Sequence, residues 1–213
     1  MQGVQTMSSQ SVGRSVNIAC ILGRYYSMTL EATLQATGLD TDNFINPVDP
    51  AEDVVSATLP ADDRAWAAQH VTAWRQCSAS GTPTLIFQDD TAFSNATSDV
   101  LQVTKACAAA IDRLKAAGSE HIRSGELMYL GGSDTSHGNA CVDVQGFTLS
   151  TVRTASRLSA YVLWPAAAAK LLAVLPLDMP VAAFLSTHIE QALAITPALA
   201  IAEEEYQAAA VTR

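Results

Sequence analysis

Segments typical of strands and of helices alternate along the chain, and this order constrains the fold more than any other feature of the sequence. Short apolar runs of strand length are followed by longer segments that begin or end at helix-capping residues. The predicted strands are 16–22, 84–88, 126–130 and 157–164, with a short extended piece near 194–201. The predicted helices are about 28–37, 62–79 and 98–117, one that starts at Pro165, and one over 180–193. The alternation predicts an α/β fold with a mostly parallel sheet and helices on both faces.

The composition predicts one globular domain with short tails. The chain has 213 residues, and 49% of them are hydrophobic, which is enough for a sizeable core. Residues 1–15 are rich in Ser, Gln and Gly without an apolar period, so we expect a disordered tail there. The predicted domain is 16–207, followed by a short tail at 208–213.

Charge and hydropathy limit the partners. A formal net charge of −9, with 12 Lys and Arg, argues against binding to a nucleic-acid backbone or an anionic membrane. The N-terminal residues carry no apolar signal core, and no apolar run reaches membrane-spanning length. We therefore predict no membrane span and a cytoplasmic location, with a secretory compartment left open if a leader has been removed. The four cysteines have no paired ligand spacing, which favours buried thiols over structural zinc.

Two carboxylates end the apolar run Thr84-Leu85-Ile86-Phe87-Gln88. Asp89 and Asp90 should therefore stand at the C-terminal edge of the sheet, where α/β folds bind ligands. Adjacent anions repel each other unless water or a cation compensates, and carboxylate oxygens suit Mg²⁺ or Mn²⁺. The pair predicts a metal site able to hold a diphosphate. The alternative interpretation is a solvated turn or a helix cap.

The helix predicted before this strand carries an aromatic stripe. Trp66, His70 and Trp74 are spaced four residues apart and so share one helix face. Such a stripe is typical of a core helix with one buried histidine, and it would equally suit a surface beside a ligand. A second candidate region is the polar, glycine-rich loop 131–138, in which Asp134 or His137 could serve as a general base.

Four motifs, taken in order and with their spacing, resemble glycosyltransferase family 25, the group that contains lipopolysaccharide and collagen galactosyltransferases. The family shows a Ser-His-x-x-x-Trp helix, a strand that ends Glu-Asp-Asp, a Tyr-Leu-Gly strand, and an Ala-Tyr strand before an Ala-x-x-Leu-Leu helix. The corresponding residues are His70 and Trp74, Gln88-Asp89-Asp90, Tyr129-Leu130-Gly131, and Ala160-Tyr161 before the helix with Leu171-Leu172. The resemblance covers about residues 16–207.

The resemblance implies a metal-dependent glycosyltransferase with the nucleotide-binding GT-A fold. Such an enzyme moves a hexose, galactose first, from a UDP-sugar to a hydroxyl of a glycan, a lipid-linked sugar or a protein. The implied cofactor is Mn²⁺ or Mg²⁺, bound by Asp89 and Asp90. The residues expected to contact the donor nucleotide or its sugar are Arg24, His70, Trp74, Gln88 and Asp89.

Several positions depart from the family pattern. Gln88 replaces the Glu of Glu-Asp-Asp, and Arg24 is the one residue left of a pair of arginines. Ser159 replaces the His before Ala-Tyr, and Ala182 replaces the Asp of Pro-Val-Asp, so neither position supplies a base or a metal ligand. These losses support an alternative hypothesis, a catalytically silent relative that serves as a sugar-binding or interaction module.

Overall fold

An eight-stranded mixed sheet forms the centre of the structure. The structure is a computed structural model that describes residues 15–22, 34, 44–46, 50–93, 100–119, 122, 126–131, 136–154 and 158–202. Several predictions lie outside the described residues. They concern residues 1–14, Arg24, Asp134, the tail at 208–213 and, apart from Leu34, the helix at 28–37. The strands of this sheet are β1 Asn17–Ile21, β2 Phe44–Ile45, β3 Thr84–Gln88, β5 Leu127–Gly131, β6 Ser136–Val144, β7 Phe147–Thr154, β8 Ala160–Leu163 and β9 Ala192–Thr196.

Four helices and a small two-stranded ribbon complete the described elements. The helices are α1 Ala61–Ser80, α2 Val100–Ala116, α3 Pro165–Ala173 and α4 Val181–His188. The ribbon pairs β4 Thr91–Phe93 with β10 Ala200–Ala202 in antiparallel orientation. No helix of the described ranges is both long and apolar enough to cross a membrane.

The strand order of the large sheet is β2-β1-β3-β8-β5-β9-β7-β6. Three neighbouring pairs are parallel, namely β1–β2, β1–β3 and β5–β9, and the other four are antiparallel. The α/β prediction is confirmed, but the sheet is mixed where a mostly parallel one was predicted. The difference arises because the chain between β5 and β8 forms the β6–β7 hairpin rather than a crossover helix. A hairpin reverses the direction of the chain, so β8 runs antiparallel to β5.

That hairpin, β6–β7, is absent from the sequence prediction. Its two-residue turn is Gln145-Gly146, and both residues have positive φ, 53° and 85°. Positive φ at both central residues is the type I′ geometry that matches the twist of the flanking strands. Gln145 is an unusual residue for this position, and the segment before it, which begins Ser136-His137-Gly138, is polar, so the sequence resembles a loop.

The side chains of the central strands alternate between two apolar layers. Ile86, Tyr129 and Tyr161 face one layer, which contains residues of α1, α3 and α4. Leu85, Phe87, Met128 and Val162 face the other, which contains residues of α2 together with Leu34. We call these the first and the second layer. The prediction of helices on both faces is confirmed, and burial on both faces explains why the strands consist of nearly continuous apolar runs.

The helix boundaries follow the expected signals in part. Helix α1 begins close to the predicted residue 62: its N-cap is Pro60, and Asp62 and Asp63 lie in its first turn, where they complement the helix dipole. Pro165 begins α3 as predicted. Helix α4 ends at His188, although we predicted an end near 193, because residues 192–196 form β9 between β5 and β7. An apolar run as short as Ala-Leu-Ala-Ile fits a helix or a strand equally well.

The β4–β10 ribbon lies against the end of β5. The amide of Leu199 donates to the carbonyl of Leu130 at 2.7 Å. A Cβ atom built on Gly131 would lie 1.5 Å from the carbonyl oxygen of Ala200, which is backbone and cannot rotate away. The final residue of β5 must therefore be glycine for the ribbon to lie where it does.

Candidate functional site

The acidic pair follows β3 at the place where the strand order reverses. Strand β1 lies between β2 and β3 and runs parallel to both, so the chain first moves to one side of β1 and later to the other. Open α/β sheets bind ligands outside the carboxyl ends of the strands at such a switch point. The amide of Asp89 donates to the carbonyl of Ile21 at 3.0 Å, which ties the end of β3 to the end of β1. Asp89 and Asp90 thus lie at the switch point.

The two carboxylates occupy different environments. Asp89 is buried, with 6% of its surface exposed, whereas Asp90 is exposed. Asp89 lies near Cys20, a residue of the second layer, and burial followed by the charge of Asp89 raises the pKa of the Cys20 thiol to about 12. Cys20 is therefore a neutral packing residue at physiological pH. The pair offers one recessed and one solvent-facing carboxylate.

The turn that carries the pair is anchored to the segment before β8. The Gln88 side chain donates from Nε2 to the carbonyl of Leu158 at 2.6 Å. The Thr91 hydroxyl donates to the carbonyl of Ser159 at 2.8 Å. These bonds hold the residues on either side of Asp89 and Asp90, so the turn is fixed by the fold. The Gln88 amide nitrogen, which we expected beside a donor sugar, is bound to the protein itself.

His70, Trp74 and Tyr161 form a buried network in the first layer. Tyr161 Oη lies 2.7 Å from His70 Nδ1 and accepts a hydrogen bond from Trp74 Nε1 at 2.9 Å. Because the indole N–H can only donate, the Tyr161 hydroxyl is satisfied in both roles when its proton is directed to His70 Nδ1. This assigns the imidazole proton to Nε2. None of the three residues exposes more than 1% of its surface.

A second aromatic residue of α1, Trp66, packs against the His70 ring. His70 Nε2 has no hydrogen-bond partner among the described residues. The ring of Trp66 packs edge-to-face against His70, with centroids 4.5 Å apart and an interplanar angle of 80°. The stripe predicted on α1 is therefore a core stripe that contains one buried histidine.

The structure separates the predicted site residues into three places. Gln88, Asp89 and Asp90 lie together at the switch point. His70 and Trp74 lie in the first layer, where both are hydrogen-bonded to Tyr161 of β8 and not to the turn after β3. His137 belongs to β6, five strand positions from β3 in the sheet order. The structure therefore does not bring His70, Trp74 or His137 to the acidic pair.

One residue at this edge was missed by the sequence analysis. Gln69 is buried on α1 and donates from Nε2 to the carbonyl of Leu22 at 2.7 Å and to that of Ile45 at 2.9 Å. These carbonyls lie at the carboxyl ends of β1 and β2. The available signal was a long amide on an otherwise apolar helix face, since buried polar groups need partners.

The acidic pair has the ligand chemistry of a partial metal site. Among the residues that the structure describes, no three His, Cys, Asp or Glu side chains form a group able to hold a metal ion. Mg²⁺ and similar ions commonly bind through one or two carboxylates, with substrate phosphates and water as the remaining ligands. Asp89 and Asp90 fit that pattern, in which the substrate completes the site.

No protein-family model and no curated protein matches this chain. The family resemblance thus stays a prediction from the motifs. The function is inferred below from the residues at the carboxyl ends of β1 and β3.

We expect the stability of the protein to fall below pH 6.5 because of His70. Burial lowers the pKa of His70 from 6.5 to about 3. Between these values the unfolded chain binds a proton at His70 that the folded chain does not, so the stability present above pH 6.5 is lost as the pH falls. The loss approaches about 1.4 kcal/mol per pH unit, or about 2 kcal/mol at pH 5.

Urea denaturation at pH 7 and pH 5 measures this effect. The free energy of unfolding of His70→Gln should change less between the two pH values than that of wild type, by about 2 kcal/mol. The free energy of unfolding of each protein is compared between the two pH values, so the stability that the substitution costs through lost packing cancels. Equal changes in the two proteins would show that His70 is not buried in its neutral form.

Proposed function

We propose that this protein is a divergent, metal-dependent glycosyltransferase of the GT-A type that binds a nucleoside diphosphate sugar at the switch point between β1 and β3. One observation carries the proposal. Asp89 and Asp90 follow β3 where the strand order reverses, and an Asp89–Ile21 backbone hydrogen bond of 3.0 Å links the two strand ends. The motif resemblance gives this pair a metal-binding role, and the switch-point rule independently favours a ligand there.

The acidic pair suits a diphosphate only together with a cation. The chain carries a formal net charge of −9, so a nucleotide needs a divalent ion to offset repulsion at this edge. A bound Mn²⁺ or Mg²⁺ would neutralise charge on the leaving diphosphate. The protein contributes Asp89 and Asp90 as ligands, and the bonds of Gln88 and Thr91 keep their turn in place without reorganisation.

The proposed reaction is transfer of a hexose, galactose first, from UDP to a hydroxyl of a glycan, a lipid-linked sugar or a protein. We expect turnover to be slow compared with family members. Ser159 is buried beside the acidic turn, and Ala182 packs against the first layer, at the positions where the family has His and Asp. Loss of such groups costs orders of magnitude in rate, while binding through the metal persists.

The same two positions favour a second candidate function. A silent relative would retain metal-dependent nucleotide-sugar binding and serve as a sugar-binding or interaction module. Donor hydrolysis or transfer, measured under saturating Mn²⁺, separates the two candidates, since both predict binding and the enzyme alone predicts turnover.

Metal-dependent binding of UDP tests the proposal. Mn²⁺ together with UDP at about 100 times its Kd should stabilise the protein by about 2.7 kcal/mol, which raises Tm by roughly 5–10 °C. Asp90→Asn should abolish this shift, because the solvent-facing ligand is lost. Asp178→Asn removes one exposed carboxylate between α3 and α4 and serves as the control that should keep the shift.

Titration calorimetry with UDP-hexoses, with and without Mn²⁺, then identifies the donor. A wild-type protein that binds neither UDP nor any UDP-sugar at millimolar concentration with Mn²⁺ would refute the proposed function. A full response of Asp90→Asn to Mn²⁺ and UDP would show that the acidic pair is not the metal site.

A further inference from the structure

Gln69 links helix α1 to two strand ends at once. Its Nε2 donates to the carbonyls of Leu22 and Ile45 at 2.7 and 2.9 Å, so both amide protons are used. The Ile45 carbonyl also accepts from the amide of Leu22 at 3.2 Å, which is a backbone bond between the β1 and β2 ends. The Leu22 carbonyl, the Ile45 carbonyl and the Leu22 amide therefore lie together around the buried Gln69 side chain, which exposes 3% of its surface.

This position matters because it lies across β1 from the acidic turn. The end of β1 is tied on one side to Asp89 through the Ile21 carbonyl, and on the other side to β2 through Leu22 and Gln69. The consecutive carbonyls of Ile21 and Leu22 thus have different partners. Hydrogen bonds therefore join the carboxyl ends of β2, β1 and β3, and Gln69 of α1 donates the side-chain hydrogen bonds to the ends of β1 and β2.

Other buried side chains of α1 make their contacts with β8 instead. His70 and Trp74 bind Tyr161 within β8, and Cys77 donates to the carbonyl of Leu163 at 3.2 Å at the other end of that strand. An aliphatic side chain at position 69 would leave the Leu22 carbonyl without its Nε2 donor. A partly buried carbonyl that loses its donor rotates toward water or another donor, and the strand end moves with it.

We propose that Gln69 is a positioning residue of the switch point: it fixes the carboxyl ends of β1 and β2 relative to Asp89 and Asp90, where the proposed function has a nucleoside diphosphate bind. The ligand class rests on the proposed function, and the positioning role rests on the hydrogen bonds. Gln69 does not touch the ligand itself. It acts through the backbone of Leu22 and Ile45.

Gln69→Met in the full chain tests this role, because methionine keeps the length and volume of the side chain but has no donor. Cys77→Ala is the matched control, since it removes a buried contact between α1 and a strand carbonyl at the opposite end of the sheet. We expect UDP affinity at saturating Mn²⁺ to fall about tenfold in Gln69→Met and to stay at the wild-type value in Cys77→Ala. The affinity for Mn²⁺ alone should be unchanged in both.

Hydrogen exchange of the Leu22 amide gives a readout that needs no ligand. Its protection should fall in Gln69→Met and persist in Cys77→Ala, whatever the two variants do to Tm. Unchanged Leu22 protection in Gln69→Met, or UDP affinity equal to that of wild type, would overturn the positioning role. If wild type binds no UDP, the proposed function fails by itself, and the exchange result alone then supports or overturns the role of Gln69.

Discussion

Gly131→Ala is expected to destabilise the protein by about 3 kcal/mol or more, the largest effect that we predict for a single methyl group. The added Cβ would lie 1.5 Å from the Ala200 carbonyl oxygen, and both partners are backbone. Strand β10 must therefore move away from the end of β5, which breaks the bond between the Leu199 amide and the Leu130 carbonyl. Urea denaturation followed by tryptophan fluorescence measures the loss.

Gly81→Ala is the matched control for this substitution. Gly81 has a positive φ of 65° at the end of α1, and nothing lies within 4 Å of an added Cβ. Its cost is the conformational penalty of the left-handed region alone, about 1 kcal/mol. A Gly131→Ala variant no less stable than Gly81→Ala would mean that β10 does not pack on β5 as described.

Tyr161→Phe is expected to cost about 2–4 kcal/mol, because one hydroxyl serves two buried partners. Its removal leaves the Trp74 indole N–H without its acceptor and His70 Nδ1 without its partner, in a part of the core that excludes water. The aromatic ring is kept, so the loss reports the hydrogen bonds rather than a cavity. Thermal and urea denaturation provide the measurement.

Tyr129→Phe makes the same chemical change on the neighbouring strand. Tyr129 is opposite Tyr161 in the β5–β8 register and is also buried, with 2% of its surface exposed. Burial raises the pKa of Tyr129 to about 12, and its hydroxyl interacts with Ser186, an exposed residue of α4. Water can replace that partner, so we expect a loss of about 1 kcal/mol. Equal losses in the two variants would contradict the special role of Tyr161.

The sequence predicts those elements whose burial is uniform along their length. Strand β3 and strand β5 are apolar on both faces, and α1 and α2 have clear acidic, glycine or proline boundaries, so local signals and packing agree. Strand β9 and the β6–β7 hairpin depend on pairing partners that are distant in sequence. The extended piece predicted near 194–201 covers the end of β9 and the start of β10, whereas residues 192–193 were predicted as helix and the hairpin as a loop, preferences that the sheet overrides.

The candidate site was predicted where it depends on backbone position and missed where it depends on side-chain direction. An acidic pair after a buried strand lies at a sheet edge in any α/β fold, so Asp89 and Asp90 could be placed from the sequence. Whether His70 shares their side of the sheet depends on the packing of α1, which no local pattern encodes. Gln69 precedes His70 directly, yet its two acceptors belong to strands that are separate in sequence.

The ribbon beside the acidic turn has a consequence for how the chain matures during synthesis. Strand β4 follows Asp90 directly, but its partner β10 lies far along the chain, at residues 200–202. A nascent chain leaves the ribosome from its N-terminus, so Asp89 and Asp90 emerge long before Ala200–Ala202. The acidic turn acquires its antiparallel neighbour only after residues 94–199 have been synthesised, so this edge of the sheet is completed late compared with β1 and β3.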